Sequence, residues 1–377
     1  MQFLLLSFTV SLLCTLAVLR TSHRHKLSSD DDLSGPQKFH HRPVPRVGGV
    51  GVAVALVAGA TWASFVGLHE SALVWLLLAC SVPAFVAGFA EDLVKTVSAR
   101  RRLAATALSA ALGCWLLDAV LTRADIPGVD VLMPWTPFAI ALTLLCVTGV
   151  ANAINIIDGF NGLASMCVLL MLLALAYCAL QVGDRFVLTV ALVGAGAVLG
   201  FFLCNFPAGL IFLGDGGAYL LGFLVAELSV LLIARNPTVS PLFPLLVCAY
   251  PIFETIFTIY RRKFIRGVPT GEPDGIHLHT LIHRRVVRHV VRGLGGGRER
   301  RQTARNSMTS PYLWLLCMLS VLPAVLWWNR SGVLAVFILV FMLSYVLLYW
   351  SIVRFRVPKW LILGGATASQ LSPTRPS

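Results

Sequence analysis

Asn152, Asn155 and Asp158 stand three residues apart within Ala151–Ala164, which reads Ala-Asn-Ala-Ile-Asn-Ile-Ile-Asp-Gly-Phe-Asn-Gly-Leu-Ala. Steps of three hold side chains on one slowly drifting face of a helix. They close an apolar run, Pro137–Val150, that is fit to cross a bilayer. A carboxylate there is costly unless something pairs with it, so the stretch reads as a site for a cation or a polar substrate. Gly159 and Gly162 end the helix and let backbone come close to a ligand, while Phe160 and Leu163 anchor the turn in apolar surroundings. The plainer alternative is a helix end whose Asn and Asp cap backbone groups at the water interface, but capping does not call for three polar residues in register.

Other acids lie in similar settings. Glu91 and Asp92 end an apolar segment, Gly-Phe-Ala-Glu-Asp-Leu, just before Lys95 and Arg100–Arg102. Adjacent side chains on a helix point about 100° apart, so both face one cleft only if it wraps the helix end. Such a pair suits Mg²⁺, which takes one or two carboxylates and shares its remaining positions with water and phosphate; a solvated terminus paired with the arginines is the competing explanation. Asp215 sits among glycines immediately before an apolar helix, beside the free N–H groups of its first turn. Basic groups accompany the acids: His41, Arg42 and Arg46 beside Pro43 and Pro45, then Gly48-Gly49, where close packing or a phosphate fits. Glu254 precedes Arg261-Arg262, and His277, His279 and His283 follow without a cysteine partner, which suits a polyanion better than zinc. Glu227 lies deep in an apolar helix with no evident partner.

The elements that must carry these groups are membrane helices. With 57% hydrophobic residues, 12% charged and a mean hydropathy of +0.82, the 377-residue chain is excluded from the ordinary soluble classes. Apolar windows near 2–19, 48–67, 72–89, 103–121, 136–157, 162–181, 186–203, 217–234, 241–260, 311–328 and 333–353 predict an all-α polytopic protein of about 11 spans. The first has no cleavage signature and is expected to stay as an anchor. Lys and Arg divide 26 to 4 between the odd connections with the C-terminal tail and the even ones. The odd connections are therefore expected in the cytoplasm, with the N-terminus outside and the C-terminus inside. The net charge of +13 is then a one-sided belt facing the anionic leaflet, and nucleic acid is not implied. The nine cysteines read as small core residues. The chain is expected to form one membrane-embedded domain over 1–377. Its 261–310 connection holds the His motif and an amphipathic helix, Leu281–Val291, lying on the membrane surface, and 359–377 reads as a disordered tail. No chemistry is expected of the last two spans.

All these polar clusters fall at the cytoplasmic ends of spans, and this points to one Mg²⁺-dependent phosphoryl-transfer cleft. The order Pro45-Arg46-x-Gly48-Gly49, Glu91-Asp92, Asn152-x-x-Asn155-x-x-Asp158-Gly-x-Asn161-Gly-Leu-Ala, Gly214-Asp215-x-Gly217, Arg261-Arg262 and Asp274-x-x-His277-x-His279 resembles the polyprenyl-phosphate N-acetylhexosamine-1-phosphate transferases over residues 39–283. The resemblance implies transfer of a sugar-1-phosphate from a UDP-N-acetylhexosamine to undecaprenyl phosphate, releasing UMP, with Mg²⁺ or Mn²⁺, in a bacterial inner membrane. It carries over Asp215 and Asp92 as metal ligands and Asp92, Asp158 and Glu91 as catalytic acids. Asn152, Asn155, Asn161, Arg46, Arg262, His277 and His279 become substrate-binding residues. Membrane lipids are the other expected partners, no nucleic acid is, and a homodimer is left open.

The chain departs from the family's usual Asp-Asp at Glu91-Asp92, from Ser at Ala218 and from His at Thr280. Pro-Arg-Val-Gly-Gly at 45–49 replaces the Pro-Thr-Met-Gly-Gly usual in the related translocase for UDP-MurNAc-pentapeptide, which favours the branch that starts O-antigen or other envelope glycans. That translocase is the first alternative. An ion-coupled transporter is the second, and it would place its acids near the bilayer midplane.

Overall fold

The computed structural model describes residues 1–25, 44–267, 275–291 and 298–354. The expected tail, Asp274 and the basic stretch up to Arg42 lie outside these residues. The described chain is a helical bundle of α1 Gln2–His25, α2 Gly48–Phe65, α3 Ser71–Val94, α4 Ala99–Leu116, α5 Thr136–Ile157, α6 Leu163–Val182, α7 Arg185–Asn205, α8 Gly214–Arg235, α9 Leu242–Val247 and α10 Ala249–Tyr260. After these come a π-helical turn Arg261–Arg266, α11 Leu278–Ile282, a second π turn His283–Val287, α12 Arg288–Val291, α13 Arg298–Leu326 and α14 Ser331–Val353.

Among the described residues nine helices are long and apolar enough to cross a membrane, against the 11 expected. The two shortfalls have local causes. α4 opens on Arg100–Arg102, capped by Ser98, so its apolar part is short. The ninth expected span is broken at Cys248, where Pro251 lacks the N–H that would carry the ladder back to Val247.

α8 is the axis of the bundle, buried along almost its whole length and packed by α2, α3, α4, α5, α6 and α7. Apolar side chains gain little by leaving lipid, so close approach of small residues is what holds such helices together. A methyl group at Gly49 would come within 2.5 Å of the Gly217 backbone, and one at Gly222 within 2.5 Å of the Ala151 α carbon. α6 is bounded by left-handed glycines, Gly162 at φ 72° and Gly183 at φ 76°.

Polar side chains collect at the two poles of the bundle. At one pole Arg235 ties α8 to Glu70 (2.9 Å) and Asp184 (2.9 Å), while Arg123 pairs with Asp125 (3.0 Å) and Asp125 receives Ser331 (2.5 Å). At the other lie the start of α2, the end of α3, the starts of α4 and α8 and the end of α5. The amphipathic stretch after His279 does not lie on a membrane surface as expected. Leu281, Ile282, Val286 and Val287 are buried within the protein, and the stretch packs on α13.

Candidate active site

The chain segments before α2 and before α8 run side by side. Phe212 donates its N–H to the Pro45 carbonyl (2.8 Å), Gly48 donates to Phe212 (3.0 Å) and Gly49 to Leu213 (2.9 Å). Gly48-Gly49 therefore serve close packing and not a phosphate, and the pairing carries Arg46 to the first turn of α8. The arginine's Nη2 lies 3.4 Å from Asp215 Oδ1 and its Nε 3.9 Å from Asp92 Oδ1.

α3 comes up against the same turn. Gly88 admits it: a methyl there would stand 2.6 Å from the Asp215 carbonyl. One helical turn later on the same face is Asp92, 3% exposed. Its Oδ1 accepts from the Asp215 N–H and its Oδ2 from the Gly216 N–H, both at 2.9 Å. α8 has no side-chain cap of its own, so Asp92 supplies from α3 the acceptors that its first turn lacks. Glu91, one residue earlier, is turned elsewhere: Oε2 accepts from the Val97 N–H at 2.6 Å and so closes the turn between α3 and α4. The expectation that Glu91 is a catalytic acid is not what this geometry suggests.

Two residues escaped the sequence reading. Arg102, in the first turn of α4, pairs with Asp215 Oδ2 and lies over the Tyr219 ring, 5.9 Å from its centroid. Tyr219 stands four residues after Asp215 and so on the same face of α8, and its hydroxyl donates to Asn152 Oδ1 at 3.2 Å. Asp215, Arg102, Tyr219 and Asn152 thus form a continuous line from α8 to α5.

Asn155 is half-buried on α5, and its carbonyl accepts the Asp158 N–H (3.3 Å) that ends the helix. Burial pushes the Asp158 carboxyl up to about 7, and Arg46 pulls it back. Asp158 and Asp92 are near enough to act on each other electrostatically. The three acids expected in one pocket are therefore brought together.

Asn161, expected at the substrate, faces protein. Its Nδ2 donates to the Pro207 carbonyl (3.1 Å) and Ser307 Oγ (3.4 Å), its N–H donates to Asn306 Oδ1 (2.9 Å), and its carbonyl accepts from Ser310 Oγ (2.6 Å). Asn205 Oδ1 takes the next amide, that of Gly162, at 2.6 Å. The glycine-rich turn after Asp158 is thus clamped by α7 and α13. α13 therefore braces the site without entering its chemistry.

The histidines pack on that turn. Phe160 meets His279 edge-on at 5.5 Å and His283 at 5.0 Å, and His277 stacks on His279 at 5.0 Å. Burial pushes both His279 and His283 down to about 3, so both rings are neutral at pH 7. His283 Nδ1 lies 3.1 Å from Thr309 Oγ1. Arg262 is buried, 5% exposed, in the π turn after α10. Thr280 is buried as well.

The acids offer only hard oxygen donors. Among the described residues no three His, Cys, Asp or Glu side chains close into a metal cage. Mg²⁺ does not need one, since one or two carboxylates with water and phosphate oxygens suffice. Asp215 fits that part best, because both its oxygens already face cations. Asp92, whose two oxygens each accept an amide, is better suited to holding Asp215 in place.

A membrane-embedded helical bundle with an acidic, arginine-lined site at one pole is what the fold and the geometry define. Residues 74–233 match the family model described as glycosyl transferase family 4. The chain is 29% identical over 279 residues to a probable undecaprenyl-phosphate N-acetylglucosaminyl 1-phosphate transferase of Bacillus subtilis (strain 168), covering 73% of this chain and 76% of that one. It is 29% identical over 255 residues to an undecaprenyl-phosphate alpha-N-acetylglucosaminyl 1-phosphate transferase of Thermotoga maritima, covering 68% and 73%. It is also 29% identical over 238 residues to a phospho-N-acetylmuramoyl-pentapeptide-transferase of Geobacillus kaustophilus, covering 60% and 72%. These matches support a place for the chain among the polyprenyl-phosphate N-acetylhexosamine-1-phosphate transferases.

Proposed function

We propose that this protein transfers an N-acetylhexosamine-1-phosphate from a UDP-sugar to undecaprenyl phosphate, giving the undecaprenyl-diphosphate sugar and UMP, and so starts O-antigen or another envelope glycan. The observation that carries the reading is the convergence of Asp92, Asp158 and Asp215 with Arg46 and Arg102 at one pole of the bundle. An oxygen of the lipid phosphate attacks the sugar-bearing phosphorus of the donor, the bond to the UMP oxygen breaks, and one diphosphate is exchanged for another. The acceptor phosphate, with a second pKa of about 6 by analogy with phosphoserine, is largely dianionic at neutral pH and needs little help from a base.

The protein's task is to bring two polyanions together. Arg46 and Arg102 offset their charge, the histidine loop meets the sugar or diphosphate, and Asn152 and Asn155 line the nucleotide side. Mg²⁺ or Mn²⁺ on Asp215 would supply Lewis-acid stabilisation of phosphate oxygens. The site would face the cytoplasm, where UDP-sugars are made.

Incubating the purified chain with undecaprenyl phosphate, Mg²⁺ and a panel of UDP-sugars tests the reading. UMP and a new lipid-linked sugar with a UDP-N-acetylhexosamine support it, as does loss of product with EDTA and recovery with Mg²⁺ or Mn²⁺. Product from UDP-MurNAc-pentapeptide alone would move the protein to the translocase branch. No UMP from any donor would favour the transporter class.

A further inference from the structure

Glu254 is fully buried on α10, and three groups from other parts of the chain converge on its carboxylate. Oε1 accepts the Leu278 N–H at 3.0 Å and lies 3.1 Å from His277 Nδ1, and Oε2 accepts the Tyr345 hydroxyl of α14 at 2.8 Å. Thr258, one turn further along α10, places its Oγ1 3.2 Å from the same ring nitrogen. An ionised carboxylate only accepts, so the His277 Nδ1 must carry the proton, and the tautomer and the plane of the ring are set together. Nε2 is then the nitrogen left to accept from a substrate hydroxyl. His277 stacks on His279, which borders Gly159 and Phe160 of the turn after Asp158, so what Glu254 fixes is transmitted to the acid site.

We infer that Glu254 is a positioning residue. It holds the His277 ring by Nδ1 and the loop by the Leu278 amide, with Tyr345 locking the carboxylate, so that Nε2 is presented as an acceptor to a hydroxyl of the donor's sugar. This rests on the transferase reading above. Neither the glutamate nor the tyrosine touches substrate in this arrangement; both act through the histidine. α14, apolar by sequence, then has a part in the reaction.

The test uses the full chain in lipid nanodiscs, with Glu254→Leu, Glu254→Gln and Tyr345→Phe made alone and in a His277→Ala background. Partners that orient a working histidine are generally worth about 10–100-fold, so Glu254→Leu is expected near the upper end in kcat and Glu254→Gln, which keeps an acceptor, near the lower. Donor KM should change less than kcat. In the His277→Ala background each substitution should add less than about twofold, because residues acting through one group are not additive. ¹⁵N spectra of labelled histidines, with His277 assigned by its loss in His277→Ala, should show Nδ1 protonated in the parent and a tautomer mixture in Glu254→Leu. Equal losses in both backgrounds, or an unchanged His277 signature, overturn the proposal. If Glu254→Leu does not fold, the Gln and Phe variants decide by the same comparison. If the parent releases no UMP, the transferase reading fails, and the ¹⁵N signature alone decides whether Glu254 holds His277.

Discussion

Asp92 grips Asp215 by the backbone: its two carboxylate oxygens accept the N–H groups of Asp215 and Gly216, each at 2.9 Å. The first turn of α8 cannot satisfy its own amides, so an acid on α3 fixes where the acid on α8 points. Asp92→Asn keeps one acceptor and loses the other. A lost charge-assisted bond is worth about 1.5–3 kcal/mol, so UMP release is expected to fall by roughly 10–100-fold. Rate measurements from pH 6 to 9 distinguish this from a role as general base. A positional defect lowers the rate by the same factor throughout, whereas recovery at high pH would restore the base role.

The same relationship depends on the absence of side chains at Gly88 and Gly49. Methyl groups there would lie 2.6 Å and 2.5 Å from the backbones of Asp215 and Gly217. Neither neighbour can rotate away as a side chain would, so Gly88→Ala and Gly49→Ala must push α3 or α2 off α8. Overpacking of this kind costs about 1–3 kcal/mol. Both variants should show a lower thermal midpoint in detergent and a sharp loss of turnover. A normal midpoint with normal turnover would mean that the helices are not in this register.

The core of the site was readable in the sequence because its residues conflict with their surroundings. Asp158 and Asp215 are acids in apolar segments bordered by glycines, and no structural use of the bilayer explains them. Arg102 and Tyr219 raised no such conflict. One belongs to a run of three arginines, and the other is an aromatic in an apolar helix; only the four-residue step from Asp215 to Tyr219 hinted at a shared face. Asn306, Ser307 and Ser310 were hidden in the same way, as small polar residues at the start of a long helix. The stretch Leu281–Val291 misled for another reason: an apolar stripe fits a membrane surface and a protein surface equally well, and only the position of α13 tells them apart.

Asn161 is where motif and geometry part company. Its amide and backbone hold the turn against Pro207 and α13, so Asn161→Ala should act on stability first. The Pro207 carbonyl keeps Ser307 Oγ and the backbone bonds remain, so losing the side-chain amide costs about 0.5–1.5 kcal/mol. The expected result is a lowered midpoint with the donor KM unchanged in the folded fraction. A many-fold rise in KM at an unchanged midpoint would return Asn161 to the substrate.

His283 carries a pH signature. Burial, and then the charge of Arg305, push it down to about 3, with Arg284 and His279 acting in the same direction. Between that value and the ordinary histidine pKa near 6.5 the unfolded chain binds a proton that the folded chain refuses. The folded state is therefore favoured above pH 6.5 and loses ground as the pH falls towards 3. At pH 5.5 the penalty from this one residue is about 1.4 kcal/mol. His283→Gln keeps a partner for Thr309 and cannot titrate, so the gap between the two proteins' midpoints should shift in the variant's favour on acidification from pH 7.5 to 5.5. A gap that does not move with pH would show that the ring is protonated in place.

Glu227 lies on α8 12 residues beyond Asp215, about 18 Å further along the helix at 1.5 Å per residue, and so outside the site. It is fully buried, and neither carboxyl oxygen has a hydrogen-bond partner among the described residues. It presses on α4, where a methyl group at Gly113 would collide with Oε1. A polar group enclosed without a partner loses its solvation and gains nothing in return, a penalty of about 1–3 kcal/mol by mutational measure. Methionine fills a similar volume, bends as freely and needs no hydrogen bond. Glu227→Met is therefore expected to raise the thermal midpoint by several degrees while UMP release stays at the parental rate. A fall in midpoint would reveal that the carboxyl contributes to stability after all, and loss of turnover with the fold intact would give this acid a function of its own in the middle of the membrane.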